Sequence, residues 1–269
     1  MKTKVLITVK TYPTPSSKYD ELVCTAGFRE DGSWIRIYPV EYRKKPYKDQ
    51  YTKYEWVEVD LVKNTSDFRP ESYRPATAET PFITIGKLDT KGNWVKRKEI
   101  VLQNVYTDLS QLIAEAKDKN ICTSLAVFKP AKIVDFVIKP DARDWDAKKL
   151  ASLQQGNLFE STEKGFEVVK KLPYKFSYKF EDCNGKSSTL MIEDWETGEL
   201  FWNCLRRYDS EEIACQKVRQ KYMDDFAQTK DLYFFLGTLK QHHYRAPNPF
   251  VIVGTFTPKI EIQTKLELF

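Results

Sequence analysis

The chain has 269 residues, of which 41% are hydrophobic, 14% aromatic and 30% charged, and its formal net charge is +5. This composition excludes a disordered, low-complexity or collagen-like chain, because enough apolar side chains are present to form a core. No apolar run approaches the roughly 20 residues of a membrane-spanning helix. We therefore expect a soluble globular protein of one large or two ordinary domains, with no membrane partner.

The cysteines and the N-terminus indicate the compartment. The five cysteines are odd in number and include no Cys-x-x-Cys pair. This usage predicts reduced thiols rather than a disulfide framework or a zinc ribbon. The apolar run near the N-terminus is interrupted by Thr8 and ended by Lys10, which predicts a first strand and not a signal peptide. We expect a cytoplasmic protein.

The first half of the chain predicts short strands, each rich in β-branched or aromatic residues. These are residues 5–10, 22–28, 34–40, 56–62, 82–88 and 93–98. Turn residues at 30–32 and 89–92 predict two hairpins. A helix is predicted over 108–119 with Asp108 as its N-cap. Short strands followed by one late helix favour a small barrel-like module.

The composition changes between residues 140 and 171, where we place a junction between two modules. The predicted organisation is a β-rich nucleic-acid-binding module at 1–140, a junction at 141–171 and an α+β module at 172–269. In the second module, Asn184-Gly185 predicts a hairpin, and strands are predicted at 232–239 and 250–256. Asp209 and Glu212 predict a capping box for a long helix over about 210–230. The predicted fold class is α+β, with two modules of mostly antiparallel sheet and a few helices.

Alternation along the third predicted strand suggests a binding surface. Ile35 and Ile37 are expected to face the core. Trp34, Arg36 and Tyr38 then share the opposite face. Such a row of rings and a cation on an open sheet is typical of surfaces that stack nucleic-acid bases. The alternative is that the stem of Arg36 packs between two rings beneath a loop.

Two groups rich in basic residues accompany this row. They are Tyr42, Arg43, Lys44 and Lys45 directly after the strand, and Lys240, His242, His243 and Arg245 in the loop between the last two strands. Cations of this kind contact phosphates while neighbouring rings meet bases. The alternative for both groups is a solvated loop. The adjacent histidines are poor metal ligands, because neighbours on an extended chain point apart.

One pair of carboxylates suggests an enzyme instead. Asp194 and Glu196 share a face if their segment is extended, and two carboxylates can hold Mg²⁺ or Mn²⁺ for phosphodiester cleavage. The chain has no Gly-x-Ser-x-Gly motif, Walker loop or glycine-rich dinucleotide turn, so no catalytic nucleophile is identified. Magnesium or manganese is expected only under this alternative, and otherwise no cofactor is expected.

Several stretches resemble an uncharacterised prokaryotic protein family with an N-terminal KTYPTPSxKYxELVCTAG…WIRIYPVxYR signature. Here the signature occupies residues 10–27 and 34–43, and the second half of the family pattern corresponds to Asp194-Trp195-Glu196 and to residues 234–238. The resemblance implies a prokaryotic, intracellular setting, with a link to mobile-element or antiviral defence systems. It implies no mechanism.

These observations lead to three hypotheses about function. The first is a protein that binds RNA or single-stranded DNA through the rings and cations around the third strand. The second is a metal-dependent nuclease or another phosphoryl-acting enzyme built on Asp194 and Glu196. The third is a non-catalytic subunit of a larger assembly, in which exposed rings contact protein partners.

Overall fold

The computed structural model describes residues 2–16, 20–146 and 167–261. Lys18 and Tyr19 of the N-terminal signature, and most of the predicted junction, lie outside the described residues. Within these ranges the chain forms fourteen strands and four α-helices, and most strand pairs are antiparallel. The predicted α+β class is confirmed. No helix in the described ranges is long and apolar enough to cross a bilayer.

The N-terminal strands close into a small barrel, as predicted. They are β1 Lys2–Lys10, β2 Thr14–Ser16, β3 Asp20–Phe28, β4 Trp34–Val40, β5 Glu55–Lys63, β6 Ser72–Pro75 and β7 Ile83–Lys87. The hydrogen-bonded order β1-β3-β4-β6-β5 returns to β1, because β1 also pairs with β5. β2 adds to β3, and β7 adds to β5. The barrel interior holds Ile35 and Ile37, which are fully buried as the alternation predicts.

Residues 89–98 do not form the predicted hairpin and strand. Lys91–Val101 is helix α1, and its first turn has left-handed backbone angles at Gly92, Asn93 and Trp94. The following residues, Lys96-Arg97-Lys98-Glu99, are strong helix formers, and they outweigh the β-propensity of Trp94 and Val95. The aromatic and β-branched pair therefore misled the strand prediction.

The second half contains two further sheets. β8 Val105–Tyr106, β9 Leu125–Phe128, β13 Tyr233–Thr238 and β14 Phe250–Phe256 form one, in the order β14-β13-β9-β8. β10 Lys132–Pro140, β11 Tyr174–Glu181 and β12 Ser187–Met191 form the other. A division at residue 140 cuts through both sheets, since β9 and β10 pair with strands beyond residue 172. The strand pairing instead places the division near residue 104.

The structure confirms both helices predicted in this half, corrects the N-cap of one of them and adds a third helix. α2 Leu109–Lys117 is capped by Asp108, as predicted. The long predicted helix is α4 Glu211–Arg219, which continues as a π-helix over Gln220–Ala227. Its N-cap is Ser210, whose Oγ accepts from the amide of Ile213. Asp209 instead ends helix α3, Trp195–Tyr208, in a left-handed conformation, and α3 itself was not predicted.

The N-terminal segment after β1 connects the two halves. Thr11 forms a β-bridge with Asp194, and the amide of Tyr12 donates to the carbonyl of Glu193 at 2.8 Å. The Tyr12 hydroxyl accepts from Nε1 of Trp202, on α3, at 2.8 Å. The two stretches of the family signature, at residues 10–16 and 194–196, are thereby brought together.

Candidate functional site between the two halves

The prediction of an open binding face on β4 is wrong for its central residue, because Arg36 is only 3% exposed. Its Nη2 donates to the carbonyl and Oγ of Ser124 at 3.1 Å, and its Nε lies 3.5 Å from a carboxylate oxygen of Glu71. Trp34 packs its ring against that of Phe28, and Tyr38 is half-buried. Arg36 is therefore held between the two halves, because Ser124 precedes β9 of the second sheet.

The basic run after β4 is largely neutralised by neighbouring groups. Arg43 pairs with Glu21 at 2.6 Å, and Lys44 pairs with Asp20 and Glu41. The ammonium of Lys45 is buried, and it donates to the carbonyls of Ala78 and Thr80. This run therefore forms internal ion pairs and hydrogen bonds rather than an unpaired cationic patch. Tyr42, from the same run, is buried, and its ring lies next to the ammonium of Lys10.

The four residues predicted as a binding group in the loop between β13 and β14 do not share one surface. Lys240, His242 and Arg245 are exposed, and the Lys240 ammonium donates to the carbonyl of Ser66. His243 is fully buried. The adjacent histidines thus point to different environments, as expected for neighbours on a non-helical chain.

A buried ion cluster joins the halves beside the N-terminal bridge. Nζ of Lys53 lies 2.7 and 2.8 Å from the two carboxylate oxygens of Asp194, and 3.0 Å from Glu196. Burial disfavours the charge on Lys53, but the two carboxylates outweigh this and raise its pKa. Burial raises the pKa of Asp194 to about 6, against the opposing effect of Lys53. Both groups are therefore ionised at neutral pH.

Asp194 and Glu196 lie close together because they begin a helix, and not because they share one face of a strand. Asp194 is the N-cap of α3, and Glu196 lies in its first turn. Both oxygens of Asp194 accept from Lys53, whose ammonium lies between the carboxylates where a divalent cation would have to bind. Within 2–16, 20–146 and 167–261, no group of three or more His, Cys, Asp or Glu side chains is arranged to hold a metal ion.

Lys10, at the end of β1, adds an unusual amine to this cluster. Its Nζ lies 4.1 Å from the ring centroid of Tyr42 and 4.5 Å from that of Trp195. Burial and the nearby charge of Lys53 lower the pKa of Lys10 to about 8, against the pull of the carboxylates. The amine therefore exists in both protonation states near neutral pH.

A pocket of about 440 Å³ opens beside the cluster. Its walls are Thr52, Lys53, Tyr54, Lys87, Trp94, Arg97, Glu196, Phe226, Thr255 and Thr257. The guanidinium of Arg97 lies 3.8 Å from the ring centroid of Tyr54 and 4.8 Å from that of Trp94. Nε and Nη2 of Arg97 donate to the carbonyl of Leu88, and no acceptor for Nη1 occurs among the described residues. The pocket thus combines aromatic surface with a cation, although Arg97 and Tyr54 are each only 7% exposed.

The backbone at this pocket is strained. Tyr54 and Trp94 have φ angles of 67° and 66°, in the left-handed region that bulky side chains rarely adopt. Such conformations cost roughly 1–3 kcal/mol each and persist where the surrounding structure enforces them, often at functional sites. Here the amide of Tyr54 donates to the carbonyl of Ile7, and its own carbonyl accepts from Leu88. These bonds hold the Tyr54 ring against the pocket.

Sequence reasoning missed most of this site. It did not select Lys10, Lys53, Tyr54, Trp94 or Arg97 as functional residues. One signal was available, because Lys10 belongs to the N-terminal signature and residues 194–196 belong to its counterpart in the second half. The remaining residues carry no local motif, and only the fold brings them together.

Each half of the chain matches a known family of protein domains. Residues 106–269, more than half of the chain, match a family described as a domain of unknown function, DUF8757. The chain belongs to this DUF8757 family. Residues 1–103 match a second domain of unknown function, DUF8758. The DUF8758 region contains the barrel and the DUF8757 region contains both further sheets, so the Lys53–Asp194 pair connects the two. No curated protein matches the chain.

Proposed function

We propose that this protein binds RNA or single-stranded DNA in the pocket between its two halves. The observation that carries the proposal is Arg97, whose guanidinium lies over two rings at the pocket wall with no carboxylate within 4 Å among the described residues. An aromatic platform beside a cation is the combination on which single-strand binders stack bases and contact the backbone. Lys87, also in the wall, supplies a second cation, which is 55% exposed and pairs with Glu55 at 3.3 Å.

The site differs from the one that the sequence suggests. The row on β4 has its central cation paired with Glu71, whereas Arg97, which is also buried, has no carboxylate partner among the described residues and lines one cavity with Tyr54 and Trp94. A volume of about 440 Å³ falls within the range of roughly 300–1,000 Å³ that ligand pockets occupy. It suits one nucleotide of a strand, with neighbouring phosphates near Lys87.

The test is fluorescence anisotropy with labelled single- and double-stranded RNA and DNA at about 50 and 200 mM salt. We expect salt-sensitive binding to a single-stranded species. Lys87→Gln should weaken that binding and reduce the slope of log affinity against log salt concentration by about one, because one phosphate contact is lost. Arg97→Gln should weaken binding further. Lys48→Gln is the matched control, since Lys48 is an exposed lysine of the barrel outside the pocket.

Each outcome of this test decides between the hypotheses. Affinity lost in Lys48→Gln but kept in Lys87→Gln and Arg97→Gln would move the site to the basic run after β4. No binding to any nucleic acid would refute the proposal and favour a subunit of a protein assembly. For that case the exposed edge strand β7, with Ile83 and Ile85 each nearly half exposed, is the surface to examine.

A second candidate function is a phosphoryl-acting enzyme, and Lys10 is the observation that favours it. An amine with a pKa of about 8 beside Glu196 can transfer a proton near neutral pH. If Mg²⁺ or Mn²⁺ takes part, Glu196 would hold it in competition with Lys53, because its carboxylate is 61% exposed whereas that of Asp194 is fully buried. Incubation with labelled RNA and single-stranded DNA, with and without either metal, tests this. Cleavage that survives in both Lys10→Met and Glu196→Gln would eliminate the candidate.

The cellular setting is also part of the proposal. The five cysteines are free thiols, which supports a reducing cytoplasm. The N-terminal signature supports a prokaryotic origin, and nucleic-acid binding would suit an antiviral defence or mobile-element system.

A further inference from the structure

A second pocket, of about 450 Å³, lies between the barrel and the sheet formed by β8, β9, β13 and β14. Both halves contribute to its walls, which include Arg29, Trp34, Tyr73, Cys122 and Ser124. Aromatic and aliphatic groups mix there with a few polar ones. This composition is typical of small-molecule sites.

Cys122 belongs to a chain of three polar groups that begins at this pocket. Its Sγ lies 3.5 Å from Nε2 of His243, and Nδ1 of His243 lies 2.8 Å from Oγ1 of Thr238. His243 is fully buried behind the cysteine, and Thr238 ends strand β13. A nucleophile, an imidazole and a third group that orients the imidazole form the general arrangement of an activated nucleophile.

The backbone at Cys122 is strained in the same way as at the first pocket. Its φ angle is 53°, and its amide is held by the carbonyl of Asp118 at 2.7 Å. A non-glycine residue in this region is uncommon, and a strained residue at a pocket wall is a reason to look for function. The tight turn fixes Sγ between the pocket and His243.

The surroundings of the thiol suit proton transfer. Burial lowers the pKa of His243, so the imidazole is neutral at pH 7 and one of its nitrogens can accept a proton. The hydroxyl of Tyr244 donates towards Sγ from 3.5 Å, and its ring stacks on Phe68 at 5.0 Å. A donor at this position stabilises negative charge on sulfur.

We propose that Cys122 is a nucleophilic thiol that takes an acyl group from an activated ester or thioester bound in this pocket. His243 acts as the base, and Thr238 is a positioning residue. The thiol proton passes to His243, the C–S bond forms as sulfur attacks the carbonyl carbon, and the bond to the alcohol or thiol leaving group breaks. The leaving group takes the proton from His243. Water, deprotonated by His243, then hydrolyses the acyl-cysteine to a carboxylic acid and returns the thiol.

The test is acylation of the intact protein by 4-nitrophenyl acetate, followed by peptide mass spectrometry. Cys183 is exposed and serves as an internal reference in every sample. A merely structural Cys122, 5% exposed, would be acetylated more slowly than Cys183. We expect acetylation of Cys122 to be at least about tenfold faster than that of Cys183, and His243→Gln to slow it by about 100-fold while leaving Cys183 unchanged.

Thr238→Val supplies a variant that keeps the backbone bonds of β13 and removes only the hydroxyl. We expect it to slow the acetylation of Cys122 by about tenfold, and Thr238→Ser to restore the rate. Equal or faster reaction at Cys183, or a Cys122 rate unaffected by both His243→Gln and Thr238→Val, would overturn the proposal. If His243→Gln does not fold, the two Thr238 variants decide the question.

Discussion

Nζ of Lys53 lies 2.7 Å from a carboxylate oxygen of Asp194, which is 141 residues further along the chain. The side chain of Asp194 is completely buried and that of Lys53 is 7% exposed, so the Asp194 carboxylate depends on Lys53 for compensation, while Lys53 also pairs with Glu196. The pair joins the barrel to the start of α3, beside the bridge between Thr11 and Asp194. The site between the halves and the interface that holds them together therefore share the same residues.

Removal of Lys53 should strongly destabilise the protein. Lys53→Met leaves the Asp194 carboxylate buried without its ion-pair partner, and breaking a buried pair in this way costs about 3–5 kcal/mol. Lys44→Met is the control, because its ion pairs are partly exposed and such pairs contribute at most about 1 kcal/mol. Urea unfolding measures both. Equal losses in the two variants would show that the buried pair does not hold the halves together.

The contact between Tyr12 and α3 can be tested by adding one methyl group to the helix at Gly198. A Cβ at Gly198 would lie 2.3 Å from two carbons of the Tyr12 ring. Gly198→Ala should therefore lower the free energy of unfolding by about 1–3 kcal/mol, although alanine is the better helix former. Gly86→Ala places its Cβ in open space and should change stability by less than about 0.5 kcal/mol. A neutral Gly198→Ala would contradict the described packing of the N-terminal segment.

The depressed pKa of Lys10 predicts a particular dependence of stability on pH. The folded protein releases the Lys10 proton at about pH 8, whereas the unfolded chain keeps it up to the ordinary value of 10.5. Between these values the unfolded state binds more protons than the folded state, so the free energy of unfolding increases as the pH rises. Relative to Lys10→Met, the wild type should become progressively more stable between pH 8 and 10.5 in urea titrations. A difference that stays constant with pH would place Lys10 in an ordinary solvated environment.

Arg36 should matter for stability and not for binding. Arg36→Met removes the cation beside Glu71, a carboxylate that is 12% exposed, and we expect a loss of about 3 kcal/mol. The nucleic-acid affinity of the folded fraction should stay within about twofold of wild type, measured at a temperature well below the unfolding transition. Normal stability with lost affinity would restore the open-face hypothesis for β4.

Local patterns predicted much of the barrel but little of the site. Alternation and turn residues predicted strands β1, β3, β4 and β5 but not the short strand β2, and the buried pair Ile35 and Ile37 follows directly from strand periodicity. The same alternation placed Arg36 on the opposite face, but it could not show that Glu71 and Ser124 cover that face. Burial by a distant segment leaves no trace in a local pattern.

The pocket residues illustrate the same limit. Residues 53, 97 and 194 come from a turn, a helix predicted as a strand, and a helix cap, and their proximity depends on how the halves pack. Trp94 misled the strand prediction because its left-handed turn has no propensity signature beyond Gly92. Only the two signature stretches, which meet at the Thr11–Asp194 bridge, pointed to the site from sequence.

The most direct test of the central claim is to locate the bound strand by ultraviolet crosslinking. The protein is irradiated with a labelled single-stranded oligonucleotide, and the crosslinked peptides are identified by mass spectrometry. The pocket between the halves predicts crosslinks at Tyr54 or Trp94, and their yield should fall in Arg97→Gln as its affinity falls. Crosslinks confined to peptides containing Trp34 or Tyr38, or none with any nucleic acid, would contradict the account.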